Sequence, residues 1–227
     1  MRGGCDGHRE PQQAVAGQIP HRVPAGARTL CGRSRRKPRV DLRQLRTDRG
    51  YLRSQAAYLH AGSALAVADG EGRNGVWLAE QGLKVDAFDF SENAIQKARL
   101  LALQRSQSVN WHCCDWQSFD WQISSYDNVV GIFFQFATPL DRTALFAKID
   151  KSLKPGGTLI IQGYTAAQLK FNTGGPGKLD HMYDEAMMRE AFVNYDIIDV
   201  RTYEAEIDEG TAHKGMSGLL GMTARKR

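Results

Sequence analysis

Gly70, Gly72 and Gly75 follow the apolar run Leu65 to Ala68 in G-x-G-x-x-G spacing, and Asp89 stands roughly 20 residues further on. Glycines at that spacing let the backbone turn tightly and bring its N–H groups close to a ligand. A carboxylate closing the next strand can accept both hydroxyls of a ribose. The expected ligand therefore carries an adenosine. The glycine pattern by itself matches the dinucleotide fingerprint, and a βα turn with incidental glycines gives the same spacing. The acid at the end of the following run favours a ligand, and downstream residues have to choose between cofactors.

Val109 to Asp115 is a short run that ends in an acid, where a third parallel strand would deliver its carboxyl end. Tyr126 to Phe134 reads as a buried fourth strand, and Leu153 to Ile161 as a helix end, a Pro-Gly-Gly turn and a fifth strand. Ligands of open α/β sheets bind at the carboxyl edge of the strands, so acids and turns placed there belong to one site.

From about Leu52 to Arg227 the chain resembles the class I S-adenosylmethionine-dependent methyltransferases, more narrowly the small tellurite-resistance-type and thiopurine-type branch. The resemblance rests on VADGEGRNGVWLA, DAFDFSENAIQKA, CCDW, SLKPGGTLII, YTAAQLKFNTGGPG and DEGTAHKG. It implies S-adenosyl-L-methionine as cofactor, with Ala68, Gly70 and Gly72 approaching its methionine part, Asp89 on the ribose and Phe90 flanking the adenine. Asp115 would accept from the adenine amino group with Trp116 beside it, and Gly131 to Phe134 would line the path to the methyl group. Bland rivals accompany these roles: Asp69 and Glu71 as solvated turn residues, Phe133 and Phe134 as core, Trp116 as a cover of the sheet edge. The chain departs from the family at Ala66, where an acid is usual, and at Ala68, where the first loop glycine is usual. That departure bears on cofactor affinity, with Asp69 as a substitute anchor, more than on fold.

Methyl transfer from a sulfonium is an in-line displacement in which alignment does most of the work. A nucleophilic acceptor, such as a thiolate or a metalloid oxyanion like tellurite, needs neither a metal nor a triad; a hydroxyl or amine acceptor would want a base. Candidates on the acceptor side are Tyr164, Lys170, His181, Glu209, His213 and Lys214, together with Gln135 after the fourth strand. Gln135, Tyr164 and His213 are taken as substrate contacts, and catalytic groups are left unassigned. Two rival functions remain: a nucleotide-binding oxidoreductase, which gives Asp115 and Lys154 to Gly157 no role, and a catalytically silent methyltransferase-like binding module.

The elements that position these residues follow from periodicity. Helices are expected from Tyr51 to Leu59, Asn74 to Gln81 and, behind an N-capping Ser91, from Glu92 to about Gln107. Strands are expected at Ala64 to Ala68 and Lys84 to Asp89. Leu145, Phe146, Ile149 and Leu153 mark a helix between the fourth and fifth strands. Ile197 to Ala205 and Gly215 to Ala224 form a closing hairpin around Asp208 to Gly210. The fold class is α/β, a Rossmann-like doubly wound and mostly parallel seven-stranded sheet, with an antiparallel last strand implied by the resemblance.

The 227 residues are 42% hydrophobic and 24% charged, ordinary globular usage with no apolar run near membrane length. Cys5, Cys31, Cys113 and Cys114 show no metal spacing. A soluble protein of a reducing cytoplasm, acting on a small molecule, is expected.

The net charge of +5 comes from residues 1 to 50, where twelve Lys and Arg face four Asp and Glu. The remainder is mildly acidic, so no nucleic-acid groove is expected in the main domain, residues 49 to 227. Residues 1 to 48 hold four of the seven prolines and no Trp, Tyr or Phe, whereas the family begins with an aromatic lid. This leader is expected to be disordered. A basic arm, a transit peptide and sequence outside the natural reading frame are its three readings. The abrupt onset of family-like pattern near Gly50 favours the third.

Overall fold

The computed structural model describes residues 50–208 and 213–227. The expected leader, residues 1 to 48, and Glu209 with its neighbours in the hairpin turn lie outside the described residues.

Seven strands form one sheet in the order β3-β2-β1-β4-β5-β7-β6. These are β1 (Ser63–Val67), β2 (Lys84–Asp89), β3 (Asn110–Cys113), β4 (Tyr126–Ile132), β5 (Leu153–Tyr164), β6 (Tyr195–Asp208) and β7 (Lys214–Lys226). The first five pair in parallel, and β7 runs antiparallel to both β5 and β6. Chain order reverses its spread at β1, which pairs with β2 on one side and β4 on the other. That reversal point is where an open α/β sheet leaves a crevice at its carboxyl edge.

Alternation along β1 shows why helices cover both faces. Leu65 and Val67 join a core with Phe146 and Ile149 of helix α4 (Pro139–Ser152) and with Met188 of α5 (Glu185–Ala191). Ala64 and Ala66 join the opposite core with Tyr51 and Leu52 of α1 (Tyr51–Ser54) and Trp77 and Leu78 of α2 (Arg73–Glu80). A strand buried on both faces reads as a continuous apolar run, as 64 to 68 does.

Local signals set most boundaries. Ser91 accepts from the Ala94 amide and opens α3 (Glu92–Gln104), and Thr138 accepts from Asp141 ahead of Pro139 at the start of α4. The first helix is shorter than expected: α1 ends at Ser54 and a 3-10 turn covers Ala56–Tyr58. The Pro-Gly-Gly turn also lies differently. β5 pairs Leu153 with Tyr126, loops out through Lys154 to Gly157, and resumes pairing at Thr158 with Asn128. Lys154 on this excursion reaches Asp127 at 2.9 Å.

The hairpin of β6 and β7 outruns the sheet. β5 ends its pairing with β7 at Tyr164 and Leu219, while β6 and β7 continue for five more pairs to Asp208 and Lys214. Segment 166–175 supports this overhang, because Gln168 accepts from the Gly218 amide at 3.0 Å and the Thr173 hydroxyl donates to the Met216 carbonyl at 2.6 Å.

Candidate functional site

The sequence candidates line up across one edge of the sheet in spatial order: Asp115 after β3, Asp89 at the end of β2, Ala68 after β1, Gly131 to Phe133 at the end of β4, Tyr164 at the end of β5, and His213 just before β7. Residues far apart in sequence meet there because five parallel strands end on that edge and the hairpin overhang starts from it.

The loop after β1 is held by carboxylates. Asp89, 7% exposed, accepts from the Gly70 amide on Oδ2 at 3.0 Å and from the Ser91 amide on Oδ1 at 2.9 Å. Two of its lone-pair positions remain for a ligand. Ala68 is forced into the left-handed region, φ +48°, where the usual glycine would rest without strain. Gly70 also has positive φ, and a Cβ there would meet open space. Gly72 differs: a Cβ on it would lie 2.6 Å from Ala98 Cβ and 2.7 Å from Trp111 Cη2. Gly72 thus serves the packing of the loop on α3 and β3.

Of the two acids of this loop, Asp69 is not a solvated turn residue, whereas Glu71 is a partly exposed turn residue that carries ion pairs. Asp69 is buried and accepts from the Gly75 amide at 2.8 Å. Glu71 bridges Arg73 and Lys97, each at 2.7 Å, and these cations hold its carboxyl below the usual range. Ala66 is buried in the apolar face beside Trp77, so no acid stands at the usual anchor position.

On the other side of Asp89, Phe90 is 78% exposed. Asp115 is exposed, and its Oδ1 accepts from the amides of Gln117 at 3.0 Å and Ser118 at 2.7 Å, which holds its carboxyl below the usual range. Its Oδ2 takes part in neither bond. Trp116 is half-buried against the core, and its carbonyl accepts from Trp121 Nε1 at 2.7 Å.

The β4 end is shaped by Phe133 and Phe134. A Cβ on Gly131 would lie 2.5 Å from the Phe134 ring, so Gly131 makes room for a core side chain. Phe133 adopts φ +56° and turns its ring against Tyr164 and His213, both with centroids 4.7 Å away. Left-handed backbone at a bulky residue is costly and persists where packing over-determines it. Tyr164 OH and His213 Nδ1 lie 2.7 Å apart, and burial, with Arg73 adding to it, lowers the His213 pKa below its ordinary 6.5.

Gln135 is not on the site surface. Its amide donates to the carbonyls of Tyr164 at 2.9 Å and His181 at 3.0 Å and accepts from the Tyr164 amide, all buried. It is a brace beneath the site, and His181 returns a contact through Nδ1 to the Gln135 carbonyl at 3.1 Å. Sequence reasoning missed a small cavity of about 110 Å³ between the first turn of α2 and β4, lined by Arg53, Arg73, Trp77, Ile132, Gln162 and Asp208. Arg53 lies 5.8 Å from the centroid of the Trp77 ring. An arginine directly after Gly72 was the available signal.

Among the described residues no group of three or more His, Cys, Asp or Glu could hold a metal, and no helix is long and apolar enough to cross a membrane.

Residues 64–157 match the family model described as a methyltransferase domain. The chain is 29% identical over 113 residues to the ubiquinone biosynthesis O-methyltransferase of Idiomarina loihiensis, covering 49% of this chain and 46% of that protein. It is 34% identical over 83 residues to the carboxy-S-adenosyl-L-methionine synthase of Shewanella loihica, covering 36% of this chain and 34% of that one. The chain thus spans less than half the length of these curated relatives. In three dimensions it is similar to the crystal structure of TehB from Haemophilus influenzae, with TM-score 0.62 and 19% identity over 76% of this chain and 60% of that one. That likeness bears on the fold.

Proposed function

We propose that the protein transfers a methyl group from S-adenosyl-L-methionine to a small-molecule acceptor. The observation that carries this reading is the pairing of Asp89 with the Gly70 amide at the reversal point of the sheet, inside the segment that matches a methyltransferase domain. Around it the residues fit the group. Asp89 offers its remaining lone pairs to a ribose, Phe90 offers an apolar face to the adenine, and Asp115, an exposed carboxylate, would accept from the adenine amino group. Ala68 and Gly70 present backbone to the methionine part, and Trp116 borders the adenine side. Arg53 and Arg73, in the cavity beside Ile132, suit a carboxylate.

When bound, the cofactor supplies an activated methyl on a sulfonium. The chain's own residues then have to orient the acceptor and keep water away. Phe133 and His213 form the acceptor wall, held rigid by the ring stack and hydrogen bond to Tyr164, which is buried behind them at 1% exposure and so braces the wall rather than touching the acceptor. His213 is tied to Tyr164 through Nδ1. An acceptor that already carries a lone pair or negative charge, a thiolate or a metalloid oxyanion such as tellurite, fits this wall best.

The methyltransferase-domain match favours this reading over the oxidoreductase that the glycine spacing also allows. A catalytically silent binding module is a second reading, favoured by Ala66 in the apolar core and by the strained Ala68. Calorimetry with S-adenosylmethionine, S-adenosylhomocysteine and NAD tests the cofactor, and turnover on a panel of thiols and metalloid oxyanions tests the chemistry. Binding of NAD in place of S-adenosylmethionine would reject the proposal, and binding without any turnover would favour the silent module.

A further inference from the structure

Asp69 lies within the loop that Asp89 holds, yet it is only 9% exposed. Its backbone is fixed twice, by its amide donating to the Phe88 carbonyl at 3.0 Å and its carbonyl accepting from the Gly72 amide at 3.1 Å. Its side chain turns beneath the loop, where Oδ2 accepts from the Gly75 amide in the first turn of α2. Oδ1 is buried and has no hydrogen-bond partner among the described residues.

The Gly75 amide and the amide and side chain of Asn74 support the charged form of Asp69, while its burial, the partnerless Oδ1 and a neighbouring acid oppose it, and burial is the largest of these. Ala87 of β2 and Trp111 of β3 pack beside Gly75 at the same spot. The charged group that faces Asp69 is Asp89, another acid, which grips the adjacent Gly70. The nearby cations Arg73 and Lys97 both reach for Glu71 instead. A buried charge with one oxygen unpaired and a like charge beside it is unfavourable, and such a group keeps its proton. In keeping with this geometry, burial pushes its pKa from 3.8 up to about 7, opposed by hydrogen bonds from the first turn of α2 and helped by Asp89.

We propose that Asp69 is a positioning residue of the cofactor loop, standing as a neutral carboxylic acid beneath the ligand-free loop and releasing its proton when a cationic ligand settles over Ala68 and Gly70. This rests on the S-adenosylmethionine reading above, since that ligand brings both a sulfonium and an ammonium. The Asp69 O–H bond breaks, its electron pair stays on the carboxylate, and the proton passes to solvent while the ligand's positive charge takes its place. Uptake of the ligand then strengthens with rising pH around neutrality, by about tenfold between pH 6 and pH 8 for a group of this kind.

Calorimetry of the full chain with S-adenosylmethionine at pH 7, in two buffers of different ionisation enthalpy, measures the protons exchanged. Release of about half a proton is expected, with none from Asp69→Asn, whose uptake should also lose its pH dependence. Saturable uptake without proton release, or the same release from Asp69→Asn, overturns the proposal and leaves the cofactor reading intact. Absence of saturable uptake would instead reject the cofactor reading. In every case, including failure of the variant to fold, a carbon-13 titration of the Asp69 carboxyl in the ligand-free protein decides its protonation. A midpoint near neutrality supports the neutral acid, and a midpoint in the ordinary carboxylate range overturns it.

Discussion

The Gly70 amide donates to Asp89 Oδ2 at 3.0 Å, so the residue that closes β2 also holds the turn that follows β1. One carboxylate thereby shapes the loop and, in the proposed function, receives the ribose. Asp89→Ala should lose both, and the effect on ligand uptake should exceed the effect on folding. Loss of hydrogen bonds to a charged group suggests a decrease in affinity of about 2–3 kcal/mol, read by calorimetry with S-adenosylhomocysteine. Unchanged affinity in a folded variant would remove Asp89 from the site.

Ala68 carries a Cβ at φ +48°, a conformation that costs an L-residue about 1–2 kcal/mol. Ala68→Gly should relieve that strain, partly offset by the greater freedom of glycine in the unfolded chain. The net expectation is a gain of up to about 1 kcal/mol, seen as a higher denaturant midpoint. A lower midpoint would mean that the Ala68 methyl contributes packing that outweighs the strain.

Gln135 separates bracing from substrate contact. Its buried amide bonds three backbone groups, of Tyr164 and His181, so Gln135→Ala removes the partner of the Tyr164 amide and the His181 carbonyl, while the Tyr164 carbonyl keeps the Tyr183 amide at 2.9 Å. Destabilisation of about 2–4 kcal/mol is expected, together with a drop in kcat as the Tyr164 wall loosens. A variant of native stability with a raised acceptor KM would return Gln135 to the substrate contacts.

Much of this architecture was legible because both faces of the strands are buried. The run 64 to 68, the strand ending at Asp89 and the cap at Ser91 each carry a local signature that tertiary packing reinforces. The burial of Asp69 and Gln135 and the ion pairs of Glu71 were not legible. The direction of a side chain leaving a turn depends on what lies beneath it, here Gly75, Lys97 and the carbonyls of Tyr164 and His181, all set by distant parts of the chain. Phe133 was hidden for a related reason. Its positive φ exists because Tyr164 and the hairpin overhang fix its ring, and composition holds no trace of that.

The hydrogen bond between Tyr164 and His213 gives a pH prediction of definite sign. Burial lowers the His213 pKa, so the folded protein holds this imidazole neutral where the unfolded chain would protonate it. Its folded state therefore loses support as pH falls below the ordinary 6.5 and through the lowered folded value, and is indifferent to His213 above 6.5. A phenol donates to a neutral imidazole nitrogen readily, but not to the protonated ring, whose nitrogens are both donors. Acid should thus reverse the bond, with the protonated ring donating to the Tyr164 oxygen, and place a charge in the half-buried acceptor wall that burial disfavours. His213→Gln should flatten the acid limb of thermal stability below the ordinary 6.5, while Tyr164→Phe should keep the limb but lower acceptor turnover at pH 7. A double-mutant cycle on turnover should show coupling of about 0.5–3 kcal/mol, as expected of two groups in one contact. Additive losses would mean that the two residues act apart, and the wall would then not be a unit.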